Sequence, residues 1–266
     1  MKQLRLANSI IKMMIKDRIQ YPARLIVDTF GIATRCGVLL ILYYYIFSTR
    51  GGVINGLTFQ ITAWSMFLYF AFMTLRLRDL ATAIMQDIKS GTVEVLLSKP
   101  IHYLSYRMWW QLGAGLYPFF VAVVLGTIAL VVAVGIPASM SSWFFVGTLS
   151  IVFILGIILS LLVYSVVGLL AFWIEDIKPL YWIVDKAVMI LGGSYLPVAL
   201  FPAVMYKIAI WSPFGASQFV THTVYDTWRT GYSEMIGIQV FWVVVLGIIV
   251  SYMFGRAHKK VSVNGG

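Results

Sequence analysis

The sequence predicts an all-α polytopic membrane protein. Six transmembrane helices are joined by an N-terminal interfacial helix, a cytoplasmic helical loop and a re-entrant hairpin before the last span. Three observations carry the prediction. Of 266 residues, 61% are apolar and only 11% are charged, whereas soluble domains carry about 25% charged residues. A soluble fold of this length has too much surface to cover with so few charges. The apolar runs are long and unbroken, as in "FFVAVVLGTIALVVAVG" from Phe119 to Gly135. A β-barrel would instead show segments of about ten residues with alternating polarity. Finally, lysine and arginine gather on alternate connections, as they do between membrane spans.

The chain opens on "MKQLRLANSIIKMMIKDR". Leu4, Leu6, Ile10, Ile11, Met14 and Ile15 form one helical stripe, with Lys12, Lys16 and Arg18 mostly elsewhere on the wheel. That pattern predicts a helix over 1–22 lying in the membrane interface. Simple anchoring and packing against a partner subunit both fit it. Scattered lysines and the lack of a small-residue cleavage pattern argue against a secretory signal peptide. Pro22 marks a change of direction into the first span.

The spans follow at 25–47, 57–75, 109–134 and 143–173. A short fifth begins near Leu180 and runs to "GGSYLP", and the sixth covers 235–254. Six crossings put both termini on one side. That side carries Lys2, Arg5, Lys12, Lys16, Arg18 and Arg24, then Arg76, Arg78, Lys89, Lys99 and Arg107. Lys178, Arg256, Lys259 and Lys260 complete it, and the other side offers only Arg50, Lys207 and Arg229. The bias places the termini and the 76–107 loop in the cytoplasm. It also accounts for the net charge of +10 without a nucleic acid partner. Cys36 is alone in an apolar run and reads as a small hydrophobe.

The loop from 76 to 107 is too polar to span and too patterned to be disordered. Leu77, Leu80, Ile84 and Ile88 recur at helical spacing, with Arg76, Arg78, Asp79 and Asp87 as the polar counterpart. Ser90-Gly91 breaks that helix, "TVEVLLSK" resumes it, and Pro100 limits the second element. Two short amphipathic helices result. They either seal the rim of the bundle or dock a cytoplasmic partner that pulls on spans two and three. Sequence chemistry does not separate these readings.

A second interruption falls between spans five and six. Gly192 and Gly193 loosen the helix, and Pro197 and Pro202 cannot continue its hydrogen-bond ladder. A broken apolar segment over 192–232 predicts a re-entrant hairpin sheltered by protein, at the outer end of a translocation path. The alternative is an external loop resting on the bundle. Asp28 and Arg35 in span one, and Asp185 and Lys186 in span five, are charges within apolar segments. Such charges face the bundle interior, a partner or the interface. Arg24 and Asp28 are spaced for a local ion pair. Arg35 is deeper and fits a path, a subunit contact or snorkelling equally.

Catalytic machinery is not visible. No G-x-x-x-x-G-K-[ST] segment exists to hold nucleotide phosphates. His102, His222 and His258 lack ligand-type spacing, so no metal site is expected. His222 and Asp226 read as an accidental surface pair on an external segment.

Several stretches together resemble ABC-2 type permeases, particularly the six-span group related to daunorubicin-resistance exporters. They are "I.SGT.E.LL.KP" from Ile88 to Pro100, "AFWIEDIKPLYWI" from Ala171 to Ile183, "GG.YLP...FP" from Gly192 to Pro202, "SPF" from Ser212 to Phe214 and the closing Gly265-Gly266. The resemblance implies a permease of a prokaryotic cytoplasmic membrane, binding no cofactor itself. A separate soluble ATPase subunit, in two copies, would carry ATP and Mg. The second permease chain would be identical or related. Docking would fall on Asp87, Gly91, Val93, Glu94, Leu96, Leu97, Lys99 and Pro100. A secondary transporter and a non-transport assembly protein are the competing readings.

Overall fold

The computed structural model describes residues 2–20 and 22–264, with side chains for 5–20 and 30–257. The expected Arg24–Asp28 pair, Leu4, Lys259, Lys260 and the terminal glycines lie outside these side chains.

Nearly every element is helical. Helix α1 (Lys2–Gln20) buries Ile10 and Met14 of the stripe expected from sequence, together with Ala7, while Leu6, Ile11 and Ile15 are half-buried. That face packs on the chain's own α6 (Tyr103–Val134). At the crossing, a Cβ on Gly113 would lie 2.9 Å from the Ile11 Cα, so the two backbones nearly touch.

Helix α2 (Pro22–Thr49) leads to a two-residue turn that sequence reasoning overlooked. Val53–Ile54 and Leu57–Thr58 pair antiparallel, Val53 opposite Thr58. The Asn55-Gly56 turn has φ of 49° and 78°, the geometry of tight hairpins. The Thr58 hydroxyl then caps α3 (Phe59–Met73) by accepting from the Ile61 amide at 3.3 Å. Helix α3 is buried on almost every side, as an all-apolar helix must be. Its 15 residues extend only about 22 Å.

Helices α4 (Asp79–Lys89) and α5 (Thr92–Leu97) form the hairpin between α3 and α6. Helix α7 (Trp143–Leu169) ends in a 3₁₀ turn and is followed by α8 (Lys178–Leu191). Beyond it lie α9 (Ala203–Trp211), α10 (Pro213–Ala216), a 3₁₀ turn at Phe219–Val224 and α11 (Trp228–Asn264). The last helix runs along α7.

Four stretches are long and apolar enough to cross a membrane: Phe30–Thr49, Tyr103–Val134, Trp143–Phe172 and Trp228–Ala257. The segments expected as spans two and five are shorter than the roughly 30 Å hydrocarbon layer. Residues 57–58 are spent on the β-hairpin and 74–75 on a turn, which shortens α3. Helix α8 stops after 14 residues, where Gly193 takes φ +87°.

Candidate functional site

The helical hairpin α4–α5 is fixed at its base and free at its tip. Leu80, Ala81 and Ile84 are fully buried against the end of α7. Gly168 permits this approach, since a Cβ there would sit 2.8 Å from Ile84 Cδ1. The turn before α4 puts Arg76 at φ +53° and gives its carbonyl to the Gln111 side chain at 2.9 Å. Gly91 takes φ +73°, which L-residues disfavour, and so permits the tight break between the helices.

The sequence-assigned docking residues divide into two groups. Asp87 and Val93 point inward, at 5% and 3% exposure, and so do not belong to an external contact. Asp87 ties α4 to α6: Tyr103 donates to Oδ2 at 2.6 Å, Arg107 Nε donates to it at 2.5 Å, and Arg107 Nη2 bonds Oδ1. A carboxylate this buried is held by these charge-assisted bonds. Val93 belongs to the apolar cluster under the hairpin, with Leu96 and Leu97 partly buried against it. Gly91, Glu94, Lys99 and Pro100 are exposed, and Val95 beside them is 60% exposed. The tip therefore presents one apolar side chain between an acid and a base. Because α4 is seated on α7, a force on this tip reaches α7 as well as α3 and α6, beyond the two spans expected.

A second link lies at the hairpin base. Asp185 on α8 is 1% exposed, accepts from Tyr164 on α7 at 3.2 Å, and pairs with Arg78 Nη1 at 3.4 Å. Burial opposes the charge on Arg78, but Asp185, then Tyr181 and Asp79, outweigh it and raise its pKa. Asp185 is thus an internal tie. Its neighbour Lys186 faces outward over the Trp182 ring, at 5.3 Å. Arg35 is exposed on α2 beside a cavity that Arg76 and Arg78 also line.

The expected re-entrant segment has its turn elsewhere than its glycines and prolines indicate. Gly192, Gly193 and Pro197 form the buried exit of α8, and Pro202 begins α9. The apex is Ser212–Gln218. The Ser217 carbonyl lies 2.8 Å from where a Cβ on Gly156 would be, midway along α7. Gln239, also far from its helix end, donates to the carbonyls of Ala216 at 2.9 Å and Val152 at 3.3 Å. Trp242 Nε1 donates to the Trp211 carbonyl at 2.9 Å, and Ser65 donates to that of Thr221 at 3.0 Å. From this apex the chain returns to the β-hairpin side, where Ser139 donates to the Val224 carbonyl. Irregular backbone at membrane depth needs such partners, because lipid supplies none. Gly192 connects the two parts, with its Cβ position 2.5 Å from Gln218 Cγ.

His222 corrects another expectation. It is 4% exposed, edge-on to the rings of Phe219 and Tyr225, while Asp226 is exposed. The segment reads as external in sequence, yet it is packed between α3 and α7. Among the described residues no three His, Cys, Asp or Glu gather into a metal-binding group.

Four long apolar helices, with a helical hairpin anchored on the end of one of them, define an integral membrane protein. Comparison gives the particular class: the chain belongs to the ABC-2 family of transporter proteins, whose family model, described as "ABC-2 family transporter protein", matches residues 34–265. It is therefore a permease, a membrane transport component. A search of curated proteins gives no match.

Proposed function

We propose that the chain is the membrane-spanning subunit of an ATP-driven exporter. It forms the translocation path with a second permease chain, identical or related. Two copies of a separate soluble ATPase, which bind ATP and Mg, dock on the α4–α5 tip. Helices α3 and α8 complete six crossings, each extended by non-helical backbone at its ends. Both termini and the α4–α5 tip face the cytoplasm of a prokaryote, on the strength of the lysine and arginine bias.

The observation that carries the docking reading is the contrast within one short helix. Val93 is buried while Val95 is 60% exposed between Glu94 and Lys99. An exposed apolar residue flanked by opposite charges suits a partner groove with a polar rim. A rim seal would turn Val95 inward instead. The test is co-purification of the ATPase with Glu94→Lys and Val95→Asp permeases. Both variants are expected to insert and fold normally, to lose the ATPase and to lose transport. Normal binding and transport by both would assign α5 to sealing the bundle.

A further inference from the structure

A cavity of about 240 Å³ opens between α2, α3 and α8, with Arg35, Arg76 and Arg78 in its wall beside Phe70, Met73 and Met189. Asp79 pairs with Arg76 at 2.7 Å and lies 3.8 Å from Arg78, and Asp185 pairs with Arg78. Among the described residues, Asp79 and Asp185 are the carboxylates beside these guanidiniums, and neither pairs with Arg35. A cation left unmatched in an apolar helix is costly unless an anion or water reaches it.

The surface beyond the cavity suggests the kind of anion. Val38, Leu42 and Tyr45 follow Arg35 at helical spacing, at 61%, 50% and 67% exposure. They form an open apolar strip on the same face of α2. From Arg35 to Tyr45 the helix rises about 15 Å, half the thickness of a bilayer's hydrocarbon core. A charged head at Arg35 and a chain along this strip would fit one leaflet.

We propose that the Arg35–Arg76–Arg78 cavity binds the phosphate headgroup of an anionic membrane amphiphile, its chain lying along Val38, Leu42 and Tyr45. Arg35 supplies the unmatched charge and a fork of donors suited to phosphate oxygens. Basic pockets between membrane helices commonly receive such headgroups. The proposal rests on α2 crossing the membrane, but not on ATPase docking, so loss of the docking reading leaves it standing.

The test titrates short-chain phosphatidylglycerol into the full-length chain in neutral detergent, with bound lipid counted by native mass spectrometry. One lipid is expected to bind at least about tenfold more tightly to the wild type than to Arg35→Gln, the effect of losing one charged hydrogen bond. Arg35→Lys should retain part of the binding. Arg50→Gln, which removes an exposed arginine in the turn just beyond the far end of α2, should retain all of it. Equal binding of phosphatidylcholine, or no loss in Arg35→Gln, would overturn the proposal. Equal loss in Arg50→Gln would reduce it to general surface charge. Inorganic phosphate binding as tightly as the lipid would overturn the membrane source. A dimer whose formation expels the lipid would assign this face to a second copy of the chain.

Discussion

Two hairpins press against α7, and they are built on opposite plans. The α4–α5 pair meets it at Gly168, and the re-entrant apex meets it at Gly156. These positions are about 18 Å apart along the helix. At Gly168 the contact is apolar, with the Ile84 side chain and the Ala81 Cα packed into the gap. At Gly156 it is the carbonyl of Ser217. The first hairpin breaks only at exposed Gly91, where the Ser90 and Gly91 amides bond the carbonyls of Gln86 and Ile88. The second breaks repeatedly, and side chains of Gln239, Ser65 and Trp242 take up its carbonyls. An exposed turn such as that at Gly91 needs only a permissive backbone, whereas a buried one such as Gly215–Gln218 needs donors from other helices.

The largest effect should come from cutting the tie that holds the first hairpin. Asp87→Ala leaves the Arg107 guanidinium and the Tyr103 hydroxyl without their acceptor. Breaking a buried pair from one side costs about 3–5 kcal/mol. Thermal unfolding of the purified permease should shift accordingly, and trypsin should cut faster at Lys89. Unchanged digestion would show that apolar packing alone holds α4–α5.

The matching change in the second hairpin is Gln239→Leu, which leaves the Ala216 carbonyl without its side-chain donor at about 1–3 kcal/mol. Hydrogen exchange should rise over 212–224 and stay unchanged over 79–97. Equal changes in both segments would erase the contrast drawn between them. A smaller loss, about 1–2 kcal/mol, is expected of Gly91→Ala, because the left-handed conformation then carries a side chain. Chemical denaturation in mixed micelles would measure it. The smallest stability change belongs to Val95→Asp, within about 0.5 kcal/mol as for other exposed positions. A melting curve that falls as far as that of Asp87→Ala would place Val95 inside the packed hairpin after all.

The first hairpin was far easier to read from sequence than the second. Its amphipathic period, Gly91 and Pro100 are all local signals, and they place both helices and the break. The same signals could not separate Asp87 from Glu94, since both are acids at helix ends and only Tyr103 and Arg107 distinguish them. The re-entrant apex had weaker marks. Pro213 and Gly215 sit in a continuous apolar stretch, and the donors that permit the turn come from Ser65 and Gln239, remote in the chain. Gly192 and Gly193 drew attention instead and proved to end α8. Burial of His222 was hidden for the same reason, because its neighbours on α3 and α7 are supplied by topology. The Asn55-Gly56 pair is a clear local turn signal that the span boundaries did not take into account. Overlooking it made the second span look longer than α3 is.

The contact between Ile11 and Gly113 has a consequence for how the chain is made. The first helix leaves the ribosome about 100 residues before the surface that receives it, an interval of roughly 5–20 s at ordinary synthesis rates. Throughout that interval Ala7, Ile10 and Met14 have no protein to cover them. The bilayer surface can hold them, as it holds other amphipathic helices. The expected order is that the first helix rests on the bilayer while the early spans insert, and moves onto α6 once Gly113 is in place.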